Sequence, residues 1–135
     1  MLRKIPILAA SLLALAGCAG TAAERQQGAD NLFGDAKMVY VGLSGFVSIY
    51  NMLPICGAPA APNPPLCYSE PVGDVINKTM QIAADSIEAS EKIFAASNTD
   101  EDAKLRAAKA AQAATKELRE ALFKYGVTQV KNETR

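Results

Sequence analysis

Three sulfurs, Cys18, Cys56 and Cys67, are the residues in this 135-residue chain with the most distinctive chemistry. A thiol can be acylated, paired in a disulfide or bound to a metal, and its surroundings decide which. Cys56 and Cys67 enclose ten residues. In an exported chain two thiols flanking such a loop read as a disulfide, with free buried thiols or two metal ligands as the alternatives. A metal needs two further ligands, and the chain has no histidine, the commonest zinc ligand and the commonest general base. Asp85 and Glu88 lie three apart on one helical face, a spacing that admits paired-carboxylate chemistry. The sequence puts no cleft or further ligand beside them. It also has no Gly-rich phosphate loop and no serine-centred elbow. The expectation is a non-enzyme with no catalytic residue, no metal site and no cofactor.

The elements around Cys18 say where its sulfur goes. Met1 to Lys4 carries two positive charges, and Ile5 to Ala16 is uncharged and rich in Leu, Ile and Ala. These are the n-region and h-region of a secretory signal peptide. As a helix the 12-residue h-region reaches only about 18 Å, against roughly 30 Å of hydrocarbon core, so it is too short to span. Leu15-Ala16-Gly17-Cys18 follows and resembles the lipobox of bacterial lipoproteins. That resemblance, confined to residues 1–18, implies cleavage before Cys18, a diacylglycerol thioether on its sulfur and a palmitate-type acyl group on its amino terminus. Ala19 stands where an inner-membrane retention signal shows Asp, which by the same resemblance favours the outer membrane, facing the periplasm. A plain signal peptide with an incidental cysteine is the alternative. With Cys18 acylated, Cys56 and Cys67 remain as the only two thiols, and the disulfide follows from that resemblance.

Loss of residues 1–17 removes Arg3 and Lys4 and leaves 12 basic against 14 acidic residues, without the basic surplus of a nucleic-acid binder. No nucleic-acid partner is expected. The Ala-rich, weakly aromatic composition suits close-packed helices. Residues 18–29 read as an acylated cysteine and tether. From a cap at Asp30 or Asn31, a first helix over about 30–53 carries Leu32, Ala36, Val39, Leu43, Phe46, Tyr50 and Leu53 at spacings of 4,3,4,3,4,3. Its opposite side holds Val41, Ser44, Gly45 and Ser48, slim enough for a neighbouring backbone to approach. No charged residue occurs from Met38 to Ser69. Residues 38–53 are therefore expected either to be buried on most faces, in a bundle or an oligomer seam, or to contact a membrane.

Pro54 stops this helix, and six of the seven prolines fall between Pro54 and Pro71, an extended and semi-rigid stretch. A second helix over about 71–97 has a polar stripe from Asp74 to Lys92 and a buried side of Val72, Ile76, Met80, Ala83, Ile87, Ser90 and Phe94. Thr99 followed by three acids opens a third helix over about 99–125, with Ala107, Ala111, Ala114, Leu118, Ala121 and Tyr125 as its core line. Gly126 ends it, and 127–135 reads as a polar, frayed tail.

The helical domain is thus 30–126, and the fold class is all-α: an elongated three-helix bundle, or a helical hairpin plus a helix, with a Pro-rich, disulfide-closed loop between helices one and two. That loop carries Ile55, Leu66 and Tyr68 at the end far from the anchor, the candidate contact for a partner. The function this organisation implies is a lipid-anchored envelope module that scaffolds or docks, meeting the membrane through its acyl chains and a protein partner or its own copies. A phage- or prophage-encoded lipoprotein, of spanin-like, superinfection-exclusion or inhibitor type, is the alternative.

Overall fold

A computed structural model describes residues 21–58 and 67–127, so Cys18, Leu66 and the tail beyond Val127 lie outside the described residues. Three helices follow in order: α1 (Ala22–Asn51), α2 (Glu70–Ala95) and α3 (Glu101–Lys124). The chain is all-α, and the helices pack as an up-down-up bundle. Helix α3 packs along both α1 and α2, which touch each other less.

Helix α1 begins eight residues before the expected start at Asp30. Thr21 and Glu24 form a capping box: the Thr21 hydroxyl accepts from the Glu24 N–H at 3.3 Å, and the Glu24 carboxylate accepts from the Thr21 N–H at 2.7 Å. This satisfies two backbone donors that otherwise have no helical partner and sets a negative charge at the positive end of the helix dipole. The stretch read as a tether is therefore helical from Ala22. At the other end Met52 caps α1, two residues before Pro54.

The inner seam of α1 is Ala29, Phe33, Ala36, Tyr40, Leu43, Val47 and Tyr50, all buried except the half-buried Tyr40. The 4,3 period is the expected one, but its phase is shifted. Phe33, Tyr40 and Val47 take the places assigned to Leu32, Val39 and Phe46, and Val39 is exposed. The expected close approach on the slim face does not occur. A Cβ added at Gly42 or Gly45 meets nothing within 4 Å.

Helix α2 opens with Pro71 in its first turn and buries Gly73, Ile76, Ala83, Ile87 and Ser90. Val75 and Ile82, at the edges of that buried side, are exposed. Asp100, rather than Thr99, caps α3, its carboxylate accepting from the Ala103 N–H at 2.6 Å. Aspartate also carries the charge that favours a helix N-terminus. Gly126, at φ +69°, turns the chain back after α3. Val127 is thereby buried in the core beside Leu122 and does not belong to a frayed tail. An apolar residue just past a left-handed glycine commonly returns to the last helical turn in this way.

The core has two layers. Near the start of α1, Phe33 and Ala36 meet Ile87, Ala108 and Ala111, with Phe94 stacked on Phe33 at 4.6 Å between ring centroids. Near its end, Leu43, Val47 and Tyr50 meet Ile76, Ala83, Leu118 and Leu122. Between α2 and α3 small residues such as Ser90 and Ala107 line part of the seam, and the Ser90 hydroxyl shows how close they lie. It donates to Ser86 O at 2.7 Å in its own helix and lies 3.0 Å from Ala107 O of α3. Buried Thr115 likewise satisfies its hydroxyl on Ala111 O at 3.0 Å. Among the described residues no buried side-chain polar atom lacks a partner.

The large side chains in the second layer carry most of the burial. Leu118→Ala removes a side chain with no solvent exposure. It is expected to lower unfolding free energy by about 3 kcal/mol, read from urea denaturation followed by circular dichroism.

Candidate functional site

The connection between α1 and α2 is fixed at both of its described ends. Cys56 and Cys67 form a disulfide with Cα atoms 4.9 Å apart. Beside it the Tyr68 N–H donates to Pro54 O at 2.7 Å, and the Cys56 N–H donates to Tyr68 O at 2.8 Å. A short parallel bridge between Ile55 and Tyr68 results. Gly57, at φ +85°, takes the left-handed turn that a side chain would strain.

Tyr50, from the last turn of α1, ties this clip to α2. Its hydroxyl accepts from the Ser69 N–H at 3.0 Å and lies 3.4 Å from Ser69 O. That position matters because the Ser69 side chain makes no cap hydrogen bond of its own. The Tyr50 and Tyr68 rings lie 5.4 Å apart, and Tyr68 rests on Gly73, where a Cβ would collide with the ring. Asn51 donates to Asn77 at 2.9 Å alongside.

Of the three residues assigned to partner contact, the structure leaves Ile55 exposed and turns Tyr68 inward, half-buried against the core; Leu66 lies outside the described residues. Tyr68 therefore serves the clip. Its neighbours are the physical reason: the absence of a side chain at Gly73 opens a seat for the ring. Ala-Gly-Cys18 also lies outside the described residues.

The larger exposed apolar surface is on α1. Met38 is 69% exposed, Val41 68% and Met52 73%, with Ile49 and Ile55 adding to them. With Gly42 and Gly45, Met38, Ile49 and Met52 form a second 4,3,4,3 series, on the side of α1 away from its inner seam. Within the single chain, residues 38–53 are thus buried along one side only. Helix α1 is long and apolar enough to cross a membrane by length and composition, yet it also supplies one side of the bundle core. The signal for the outward strip was the charge-free run after Lys37 together with this second series.

Along α2 the acidic groups Asp85 and Glu88 are engaged within their own helix. Asp85 accepts from Gln81 at 2.7 Å, and Glu88 pairs with Lys92 at 2.6 Å, so the two carboxylates do not share a site. The Lys92 hydrogen bond, and then its charge, hold the Glu88 carboxyl below the usual carboxylate range; the same pairing raises Lys92. The Glu88 contribution is present above the ordinary carboxylate pKa and is lost as pH falls through the lowered value. The Lys92 contribution is present below the ordinary lysine pKa and is lost as pH rises through the raised one. Both groups are solvent-exposed, so the effect on stability is small. Among the described residues no three His, Cys, Asp or Glu side chains gather as a metal site. A groove of about 410 Å³ runs between α1 and α3, with Asp35 and Val39 on one wall and Lys109, Lys116 and Arg119 on the other.

The chain matches no protein-family model, no curated protein and no solved structure. The class that its own residues define is an all-α three-helix bundle with a disulfide in the loop between the first two helices.

Two substitutions test the clip. Tyr50→Phe keeps the ring and removes the acceptor of the Ser69 N–H, and is expected to cost about 1–2 kcal/mol in chemical denaturation. Replacing Cys56 and Cys67 by serine opens a loop of sequence separation 11. The chain-entropy estimate is roughly 3 kcal/mol, seen as a lower denaturation midpoint with the helical spectrum retained at low denaturant.

Proposed function

We propose that this protein is a non-enzymatic, lipid-anchored module of a bacterial cell envelope, acylated at Cys18, held on the periplasmic face of the outer membrane and acting by structural contact. The observation that carries the reading is the junction of Leu15-Ala16-Gly17-Cys18 with a helix that starts at Ala22. Several acyl chains on one residue hold a protein at a bilayer far more firmly than a single chain, at about 0.8 kcal/mol per buried methylene. A capped helix beginning within four residues of that cysteine couples the bundle to the surface with little slack. The surface chemistry supports contact over turnover. Among the described residues the carboxylates are solvated, ion-paired or hydrogen-bonded within their helices, and the distinctive exposed feature is apolar.

Mass spectrometry of the N-terminal peptide is expected to show an acylated Cys18, and detergent phase partition to place the wild-type chain in the lipid phase. Cys18→Ser is expected to shift the chain to the aqueous phase with its helical spectrum unchanged. An unmodified Cys18 in a chain that stays in the aqueous phase overturns the reading.

A further inference from the structure

The groove between α1 and α3 holds two cations that their own helix leaves without a counter-charge. Helices α2 and α3 carry eight Lys and Arg residues, and six of them have an Asp or Glu three or four positions away, where a helix brings side chains together. The two without are Lys109 and Arg119, and both line the groove. Both are exposed, and among the described residues neither joins an ion pair. Lys116, between them, is 3.7 Å from Glu120 in an exposed and therefore weak pair.

The two walls repeat at the period of a helix face. On α3, Lys109, Gln112, Lys116 and Arg119 lead to exposed Phe123 at spacings of 3,4,3,4. On α1, Asp35 and exposed Val39 continue through Gly42 and Phe46 to Ile49 at spacings of 4,3,4,3. Buried Ala36 and Thr115 lie at the floor. We infer that this groove takes an amphipathic helix of a partner protein, with its apolar stripe against Val39 and Phe123 and its acidic residues against Lys109 and Arg119. Helix-in-groove docking of this kind draws affinity from the apolar stripe, while the charges at the rim set register and partner choice.

The spacing of the charges selects this occupant. Ten residues of helix put Lys109 and Arg119 about 15 Å apart along the axis, so a single anionic head group reaches only one of them. A helix that repeats Asp or Glu after about ten or eleven residues, three turns, presents both acids on one side and reaches both cations. Asp35 on the opposite wall repels a polyanion or a uniformly anionic bilayer and accepts a cation on the other edge of the partner helix. A trough between two helices also receives a rod better than a plane. The inference gives the chemistry of the partner of the module proposed above and rests on that reading only for its setting.

A benzophenone side chain placed at Val39 or at Ala113 of the full chain, and irradiated in the cells that make it, tests this. The adduct is digested, and the crosslinked partner segment is read by mass spectrometry. The expected segment has apolar residues at helical spacing and acids about three turns apart. Lys109→Glu with Arg119→Glu is expected to lower the adduct about tenfold or more, with the helical spectrum unchanged, and reversal of the mapped acids to Lys is expected to restore it. The milder pair Lys109→Gln and Arg119→Gln is expected to lower it several-fold, and Lys78→Glu, on α2, to leave it as it is. No adduct, an adduct with lipid or with a second copy of this chain, a mapped segment without that acidic spacing, or an adduct indifferent to the charge reversals overturns the inference. Detergent partition of Cys18→Ser reports the anchor and the adduct reports the groove, so either reading can fail without the other.

Discussion

Close approach to α3 is the constraint on which the bundle depends. Ala107, Ala108, Ala111 and Ala114 are buried on that helix, and the Ser90 hydroxyl reaches from α2 to the Ala107 carbonyl. Such contact requires side chains this small. It also limits the apolar area buried per residue, since alanine hides far less than leucine. The burden therefore passes to the second layer, where Val47, Ile76, Leu118 and Leu122 are almost fully buried. It passes also to the covalent and hydrogen-bonded clip at the end of α1. A thin bundle with a small-residue seam needs a closed end against the entropy of its chain.

Much of the fold was legible because punctuation and period act locally. Pro54 marks the end of α1, Gly126 the end of α3, and the polar stripe of α2 fixes which side faces water. The phase of α1 was harder to read. Its apolar residues are spread nearly all round the helix between Met38 and Met52, so a series through Leu32, Val39 and Phe46 looks as good as one through Phe33, Tyr40 and Val47. Packing against α3 chooses the second. The start of α1 was encoded in Thr21-Ala-Ala-Glu24, a capping spacing that the alanines and glutamines around it obscured. Tyr68 is a different case. Proximity to prolines suggested an outward tip, but its place depends on Gly73, a residue on another element, and single-sequence patterning does not carry that distance.

Helix α1 is thus written twice over. One heptad-like series builds the fold of the chain, and another on the far side leaves an apolar strip in solvent. The second series weakens the amphipathic contrast by which the first is recognised, so the exposed apolar strip is also what blurs the core. Helices α2 and α3 carry charges on their outward sides, with Val75, Ile82 and Phe123 as isolated exposed apolar residues among them.

The capping box at Thr21 has a consequence for geometry. A helix of 30 residues measures about 45 Å, and for a chain held at Cys18 almost none of that length is preceded by slack. On the proposed anchor, and with α1 upright on it, the helix would act as a gauge that sets two quantities together: the standoff of the disulfide clip from the surface and the compass bearing of the outward strip. Each residue added or removed in α1 changes the first by about 1.5 Å and the second by about 100°, so height cannot be retuned one residue at a time without swinging the strip away from whatever it faces.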